Sequence, residues 1–445
     1  MKKKLYFISL GCAKNQVDSE IMLHELESRG LVLTPDPEEA EVVIVNTCSF
    51  IESATRESID TILEAARLKQ EGRCRVLAVA GCFPQRYRES LIAQLPEVDL
   101  FLGTESFVGI ANQVLALLAG DKSETMILRP DPRLWAGPLS RTLTTGKGSA
   151  YLKIAEGCSN FCAYCTIPSI RGPFRSRDPK ILLQEANNLA GQGVRELNLV
   201  AQDTTAYGTD LRPASSLMAL LKALIRIESL QWLRLLYLRP ERIAQPLLDF
   251  MAGEEKICPY LDIPIQHVSN AILKRMNRPY GGRKLQGLIS RIRQTLPQAA
   301  LRTTVMVGFP GEGEREFQEL LNFITEVEFD HLGVFPFSPE EGTPAAQYAD
   351  PVPLEISQKR VDLLMERQKE ISFKKNQARI GTLEPVLVTG LSPESDLLIQ
   401  GRTRFQAPEV DGVVYITEGE PRFGEIQMVK ITEAHPYDLV GEICE

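Results

Sequence analysis

The sequence predicts an α/β protein in three parts: a doubly wound α/β domain, a (βα)6 partial barrel of TIM-like type, and a small antiparallel β-barrel. Three observations predict it. Short apolar runs rich in branched residues alternate with helix-patterned stretches from residue 5 to about residue 337. Runs of that length are typical of parallel strands covered on both faces. Past residue 380 the pattern changes to short alternating strands between Gly, Pro and acidic turns, as in small all-β modules. Finally, 445 residues are too many for one ordinary domain.

In the first part, residues 1–130, strands are expected at 5–10, 42–46 and 76–80, with helices at 18–29 and 52–68. The start, Met1-Lys-Lys-Lys-Leu-Tyr-Phe-Ile-Ser-Leu10, has basic residues before a short apolar stretch, as a signal peptide does. The stretch ends at Gly11-Cys12 and leads into charged helix-like sequence, so it reads as a first buried strand. Residues 129–148, with their Pro, Gly, Ser and Thr, read as a linker.

The second part, 149–378, repeats the strand–helix unit six times. Its strands are expected at 151–155, 196–202, 232–238, 260–266, 302–308 and 331–337, with helices such as 182–191, 217–227 and 315–327. Right-handed βα repeats close toward a barrel whose chemistry sits at the carboxyl ends of the strands. A long helix over 354–379 ends this part, with Val361, Leu364, Met365 and Ile371 on one side. In the third part, 379–445, strands at 384–389, 397–402, 412–417 and 427–431 suggest a barrel of OB-like size.

Composition limits the function classes. The chain is 44% hydrophobic and 24% charged, with no apolar run near the ~18–20 residues of a membrane span, so a cytoplasmic globular protein is expected. A net charge of −8 argues against broad nonspecific nucleic-acid binding. Nine cysteines in a cytosolic chain read as ligands or catalysts before disulfides. Cys74, Cys258 and Cys444 have no patterned setting and read as ordinary thiols.

Cys158, Cys162 and Cys165 follow the first barrel strand at C-x3-C-x2-C spacing. Three thiolates can hold three irons of a cubane iron–sulfur cluster and leave the fourth open to another ligand, which points to catalysis. A structural zinc site is the competing reading. Zinc wants four ligands from paired units, and His267, the nearest histidine, is far away in sequence. The spacing, with Tyr164 before the last cysteine, resembles the signature of radical S-adenosylmethionine (SAM) enzymes. That resemblance implies that the open iron binds the amino and carboxylate groups of SAM. An electron passed to the sulfonium then yields methionine and a 5′-deoxyadenosyl radical.

Candidate SAM contacts follow by position: Tyr164 in the loop, Gln202 and Gln266 at the ends of strands two and four, and Gly308 and Gly311 after strand five. The two glycines could bring backbone close to a ligand or serve only a tight turn. His267 could be an acid/base or a satisfied hydrogen-bonding group.

Cys12, Cys48 and Cys82 are scattered in sequence, yet each follows a predicted strand of the first part. In an open α/β sheet the carboxyl ends of neighbouring strands meet at one crevice, so three thiolates are expected to converge. Small core filler is the usual role of buried cysteine, but three matching strand ends favour a second 4Fe–4S cluster with its own open iron. One cluster making a carbon radical and another delivering sulfur would suit sulfur insertion.

Together these residues resemble the methylthiotransferases over essentially the whole chain. The resemblance implies an N-terminal domain with an auxiliary 4Fe–4S cluster, a radical SAM barrel and a C-terminal TRAM β-barrel. The RimO branch, acting on a ribosomal protein, is resembled in Ser9-Leu-Gly-Cys-Ala-Lys-Asn15, Val17-Asp-Ser-Glu20 and Asn46-Thr-Cys-Ser-Phe-Ile51. Further likeness lies in Gly81-Cys82, Gln85-Arg-Tyr87, Ala155-Glu-Gly-Cys158, Ala201-Gln-Asp-Thr-Thr-Ala-Tyr-Gly208 and Leu261-Asp-Ile-Pro-Ile-Gln-His267. The MiaB branch, acting on tRNA adenosine, usually has Gln-x-Asn after its first cysteine and Gly-Gln-Asn-Val after strand two, which this chain lacks. Ala13 departs from the proline common in the RimO branch, at a position that is not a ligand.

From Arg379 onward, five Lys or Arg stand against twelve Asp or Glu. An RNA-gripping barrel should be basic, whereas an acidic one suits a basic protein. The resemblance therefore implies methylthiolation of the β-carbon of an aspartate in small-subunit ribosomal protein twelve, with SAM as methyl donor and radical source. It also implies an external electron donor, a possible ribosome contact and no membrane. A tRNA adenosine methylthiotransferase is the alternative, and a noncatalytic iron–sulfur or zinc ribosome-binding module a more distant one.

Overall fold

The computed structural model describes residues 3–121, 124–131 and 137–444. The expected linker includes 132–136, which lie outside the described residues. The chain divides into two compact units. One comprises Met1–Thr144, Glu156–Asn160 and Cys165–Glu185; the other comprises Thr145–Ala155, Phe161–Tyr164 and Ala186–Glu445.

The first unit is built on six parallel strands: β1 (Lys4–Ser9), β2 (Val32–Leu33), β3 (Val42–Thr47), β4 (Val76–Gly81), β5 (Leu100–Leu102) and β6 (Met126–Ile127). They are ordered β2-β1-β3-β4-β5-β6. The apolar start of the chain is β1, a strand as expected, although only Leu5 in it is buried. Every residue of β3 and β4 is buried because both faces are covered. Val43, Val45, Leu77 and Val79 pack with Ile62, Ala65 and Ala66 of the helix Glu52–Glu71. The alternate residues Val42, Ile44, Val76 and Ala78 are equally buried and point to the other face, where Ala13–Ser28 and Ile110–Ala119 contact the strands. The strand order reverses between β1 and β3, which opens a crevice at their carboxyl ends. The sequence reading missed β2, β5 and β6, each too short to show a period.

The second unit holds β7 (Ser149–Lys153), β10 (Glu196–Val200), β11 (Trp232–Leu235), β12 (Ile257–Asp262), β13 (Ala300–Val307) and β14 (His331–Pro336). These run parallel in the order β14-β13-β12-β11-β10-β7, an open six-stranded sheet and so a partial barrel. Two short strands, β8 (Ala155–Glu156) and β9 (Arg175–Ser176), form a separate two-stranded ribbon, of which Glu156 and β9 belong to the first unit. The closing helix is Leu354–Gln377, but its buried face is more polar than expected: Ser357, Arg360 and Gln368 are buried with Leu364 and Ile371, whereas Val361 and Met365 are half-exposed. The polar residues serve backbone carbonyls. Gln368 Nε2 donates to Phe329 O (2.8 Å) and Arg360 Nη1 to Glu312 O (3.1 Å).

The C-terminal strands β15 (Leu383–Ser392), β16 (Ser395–Thr403), β17 (Val414–Glu418), β18 (Ile426–Ala434) and β19 (Leu439–Ile443) close in the order β15-β16-β17-β19-β18. This five-stranded barrel differs from the expected one in two ways: it has the additional β19, and the β17–β19 pair is parallel. Closure leaves Val386, Val388, Val414, Ile416, Val429 and Ile431 as its core. Among the described residues, no helix is long and apolar enough to cross a membrane.

Within the second unit, a buried ionic cluster ties the β-barrel to the parallel sheet. Glu196 accepts from Arg402 (2.6 Å), Arg234 (2.9 Å) and Ser149 (2.8 Å). Burial opposes its ionisation, but Arg402 and Arg234 outweigh burial and hold its carboxyl far below the usual range. Breaking one member of such a group strands buried charge at about 3–5 kcal/mol. Glu196→Gln is therefore expected to lower the melting temperature clearly; an unchanged melting curve would contradict this tie.

Candidate active site

Cys12, Cys48 and Cys82 stand at the carboxyl ends of β1, β3 and β4. Cys12 caps the helix Ala13–Ser28, Cys48 follows Thr47 directly, and Cys82 opens the helix Cys82–Tyr87. The structure brings them together. A Cβ on Gly11 would stand 2.8 Å from Cys48 Cβ and 3.3 Å from its Sγ, and Gly11 has φ +95°, so only glycine lets β1 end this close to Cys48. The strand ends are pinned by side chains: Asn15 Nδ2 donates to Leu10 O (2.7 Å) and Thr47 O (3.1 Å), and Asn46 Nδ2 to Asn15 O (2.9 Å).

The three thiols feel one another. Burial, then the charges of Cys82 and Cys12, push the Cys48 thiol up to about 12. At Cys12 burial is outweighed by Lys14 and Arg171, which hold its thiol below the usual range. Burial raises Cys82 despite Arg171. Cys12 is thus the thiol most ready to ionise, while Cys48 and Cys82 would give up their protons against added positive charge, as thiolate ligands do when they bind metal. Among the described residues no three His, Cys, Asp or Glu converge on one metal-ion position. A cubane takes each thiolate on a different iron, so its ligands stand further apart than those of one ion. The donor set, three thiolates without a fourth, fits an iron–sulfur cluster with an open iron.

The segment carrying Cys158 and Cys165 belongs to the same unit. Thr166 Oγ1 donates to Phe50 O (3.2 Å), two residues past Cys48, and Cys158 N donates to Gly172 O (3.0 Å). Cys158 Sγ accepts from Asn160 N and Nδ2, both at 3.4 Å. Arg171, which the sequence reading did not single out, is buried here and touches Glu156, Asn15 and Cys82. The signal that could have flagged it is its place in Ile-Arg-Gly-Pro six residues after Cys165.

Cys162 falls in the second unit, where its Sγ accepts from Arg239 Nη1 at 3.6 Å. Tyr164 is buried, its hydroxyl accepting from Arg278 Nη2 (2.8 Å). Gln202 and Gln266 lie two and four residues past the ends of β10 and β12. Gln266 has φ +67° and is held by bonds to Thr304 O (2.9 Å) and from Met306 N (2.7 Å). The glycines have packing reasons: a Cβ on Gly308 would collide with Ser357 Oγ, and one on Gly311 would meet the Arg275 guanidinium at 3.0 Å.

His267 is fully buried. Its Nδ1 accepts from Ser269 N (3.0 Å), its Nε2 faces Glu312 at 3.8 Å, and burial pushes its imidazole down to about 3. A cavity of about 280 Å³, bordered by Arg302, His331, Met365 and Asp411, lies toward the amino-terminal ends of β13 and β14, at the opposite end of that sheet from Gln202 and Gln266.

Three regions match known families: uncharacterized protein family UPF0004 over residues 4–103, the Radical SAM superfamily over 152–324, and the TRAM domain over 380–444. The fold and these matches define a radical SAM enzyme. Solved structures support the fold alone. The radical SAM methyltransferase TsrM from Kitasatospora setae aligns with TM-score 0.57 and 13% identity, covering 86% of this chain and 78% of that one. The cobalamin-dependent SAM radical enzyme OxsB aligns with TM-score 0.53 and 10% identity, covering 82% and 56%.

Sequence relatives are far closer. A protein from Geotalea uraniireducens named ribosomal protein uS12 methylthiotransferase RimO is 48% identical over 444 residues, 100% of this chain and 99% of that one. One of the same name from Geobacter sulfurreducens is 48% identical over 443 residues, 99% of each. The chain belongs to the RimO family of radical SAM methylthiotransferases. Radical SAM membership implies SAM and a 4Fe–4S cluster, and the RimO family supports a second cluster through its N-terminal region.

Proposed function

We propose that this chain attaches a methylthio group to the β-carbon of an aspartate in ribosomal protein uS12, with SAM as methyl donor and radical source. The observation that carries this reading is the full-length similarity, 48% over 444 residues, to a protein named for that activity. Cys158, Cys162 and Cys165 would hold the cluster that engages SAM, and Cys12, Cys48 and Cys82 the auxiliary one. When bound, these groups supply electron transfer, radical formation, and the sulfur and methyl to be transferred.

The chain's own residues set the conditions. Gln202 and Gln266, past the carboxyl ends of their strands, are the side chains proposed to contact SAM, together with Tyr164, whose hydroxyl accepts from Arg278. Gly308 and Gly311 would shape the turn under the ligand through backbone alone. The C-terminal barrel would dock the substrate. Arg402 is spent on Glu196, Arg404 on backbone carbonyls, Arg379 on Glu384 and Arg422 on Glu425. Glu418, Glu420, Glu425 and Glu433 are exposed, which suits a basic ribosomal protein. An external reductant completes the requirement.

The test is reconstitution with iron and sulfide, then SAM and dithionite, offering uS12 and tRNA separately. A methylthio mass increment on an aspartate of uS12 and none on tRNA is expected. Methylthioadenosine formed in tRNA, with uS12 unchanged, would overturn the proposal.

A further inference from the structure

We infer that Arg171 is a positioning residue that joins the segment carrying Cys158 and Cys165 to the strand end carrying Cys82, and tunes the auxiliary cluster through an N–H donated to the Cys82 sulfur. The inference rests on the reading of Cys12, Cys48 and Cys82 as cluster ligands.

The guanidinium divides its donors between two sides. Nη1 takes both oxygens of Glu156, each at 3.0 Å, two residues before Cys158. Nη2 reaches Asn15 Oδ1 (3.1 Å) and Cys82 Sγ (3.5 Å). Asp18 lies 3.5 Å from Nη1. The side chain is 1% exposed, so these contacts act in a site shielded from water. A purely structural partner for Glu156 would need only Nη1. The second arm instead meets a sulfur proposed to bind iron, and hydrogen bonds to ligand sulfurs are among the terms that set cluster potentials. An N–H aimed at the sulfur favours the more negative, reduced cluster. Arg171 also lies six residues after Cys165, so one planar group fixes the segment with Cys158 and Cys165 to the sheet end with Cys82. Lysine, a single point charge, cannot serve both arms.

The test uses the full chain carrying Cys158→Ala, Cys162→Ala and Cys165→Ala, reconstituted anaerobically so that only the auxiliary cluster remains. Arg171→Lys is added, and iron content and an EPR-monitored redox titration are compared. Equal iron is expected, with the midpoint lowered by the equivalent of a tenfold or greater change in the reduction equilibrium, about 59 mV for one electron. With all six cysteines present, the same substitution should raise several-fold the ratio of SAM cleaved to methylthio product. An unchanged midpoint overturns the inference, and so does loss of iron from the lysine variant alone, since the arginine would then hold the site rather than tune it. If the lysine variant does not fold, Arg171→Gln with Glu156→Gln and Asp18→Asn replaces it, so that neither carboxylate facing Arg171 is left charged and buried. Failure of the parent triple variant to take up iron would instead reject the ligand reading, and the inference with it.

Discussion

Cys165→Ala is expected to reduce SAM cleavage to background while the auxiliary cluster stays in place. Three thiolates are the minimum that leaves one reactive iron in a cubane, so losing one removes the defined open site. The substitution itself is mild: Cys165 is half-buried and the neighbouring Thr166–Phe50 bond does not involve its side chain. Iron analysis should show about one cluster's worth remaining, and chromatography should find no 5′-deoxyadenosine. Cleavage at the wild-type rate would remove Cys165 from the ligand set.

Cys82→Ala is expected to do the reverse, keeping measurable SAM cleavage and stopping methylthio transfer. Cys82 is buried at the end of β4 and is the sulfur that Arg171 contacts. Its loss opens the set formed with Cys12 and Cys48 but leaves Cys158, Cys162 and Cys165 untouched. The measurement is 5′-deoxyadenosine beside modified uS12 in one reaction. If modified uS12 still accumulates at the wild-type rate, the second triplet has no role in sulfur delivery. Loss of both activities in both variants, with both clusters intact in each, would contradict the division of labour.

What was legible in the sequence depended on how local its cause is. C-x3-C-x2-C is visible because its three cysteines share one loop. Cys12, Cys48 and Cys82 were readable only through β1, β3 and β4, whose branched apolar runs locate the strand ends. Arg171 was not readable. It stands 156 residues from Asn15 and 89 from Cys82, and no periodicity links such distances. The same limit hid the Glu196–Arg234–Arg402 cluster, whose members lie on strands of two different sheets. The closing helix misled for another reason: its apolar residues suggested one stripe, while the carbonyls near β14 demanded Gln368 and Ser372 on the buried side. The parallel β17–β19 pair escaped because pairing direction is set by the path of the chain rather than by composition.

Methylthiolation of uS12 by this chain can be read in cells by intact-mass and peptide mass spectrometry of uS12 from a strain lacking the gene. One aspartate is expected to lose its methylthio increment, and the wild-type gene to restore it while Cys82→Ala does not. A uS12 that keeps its modification in the deletion strain, with methylthioadenosine missing from tRNA instead, would contradict it.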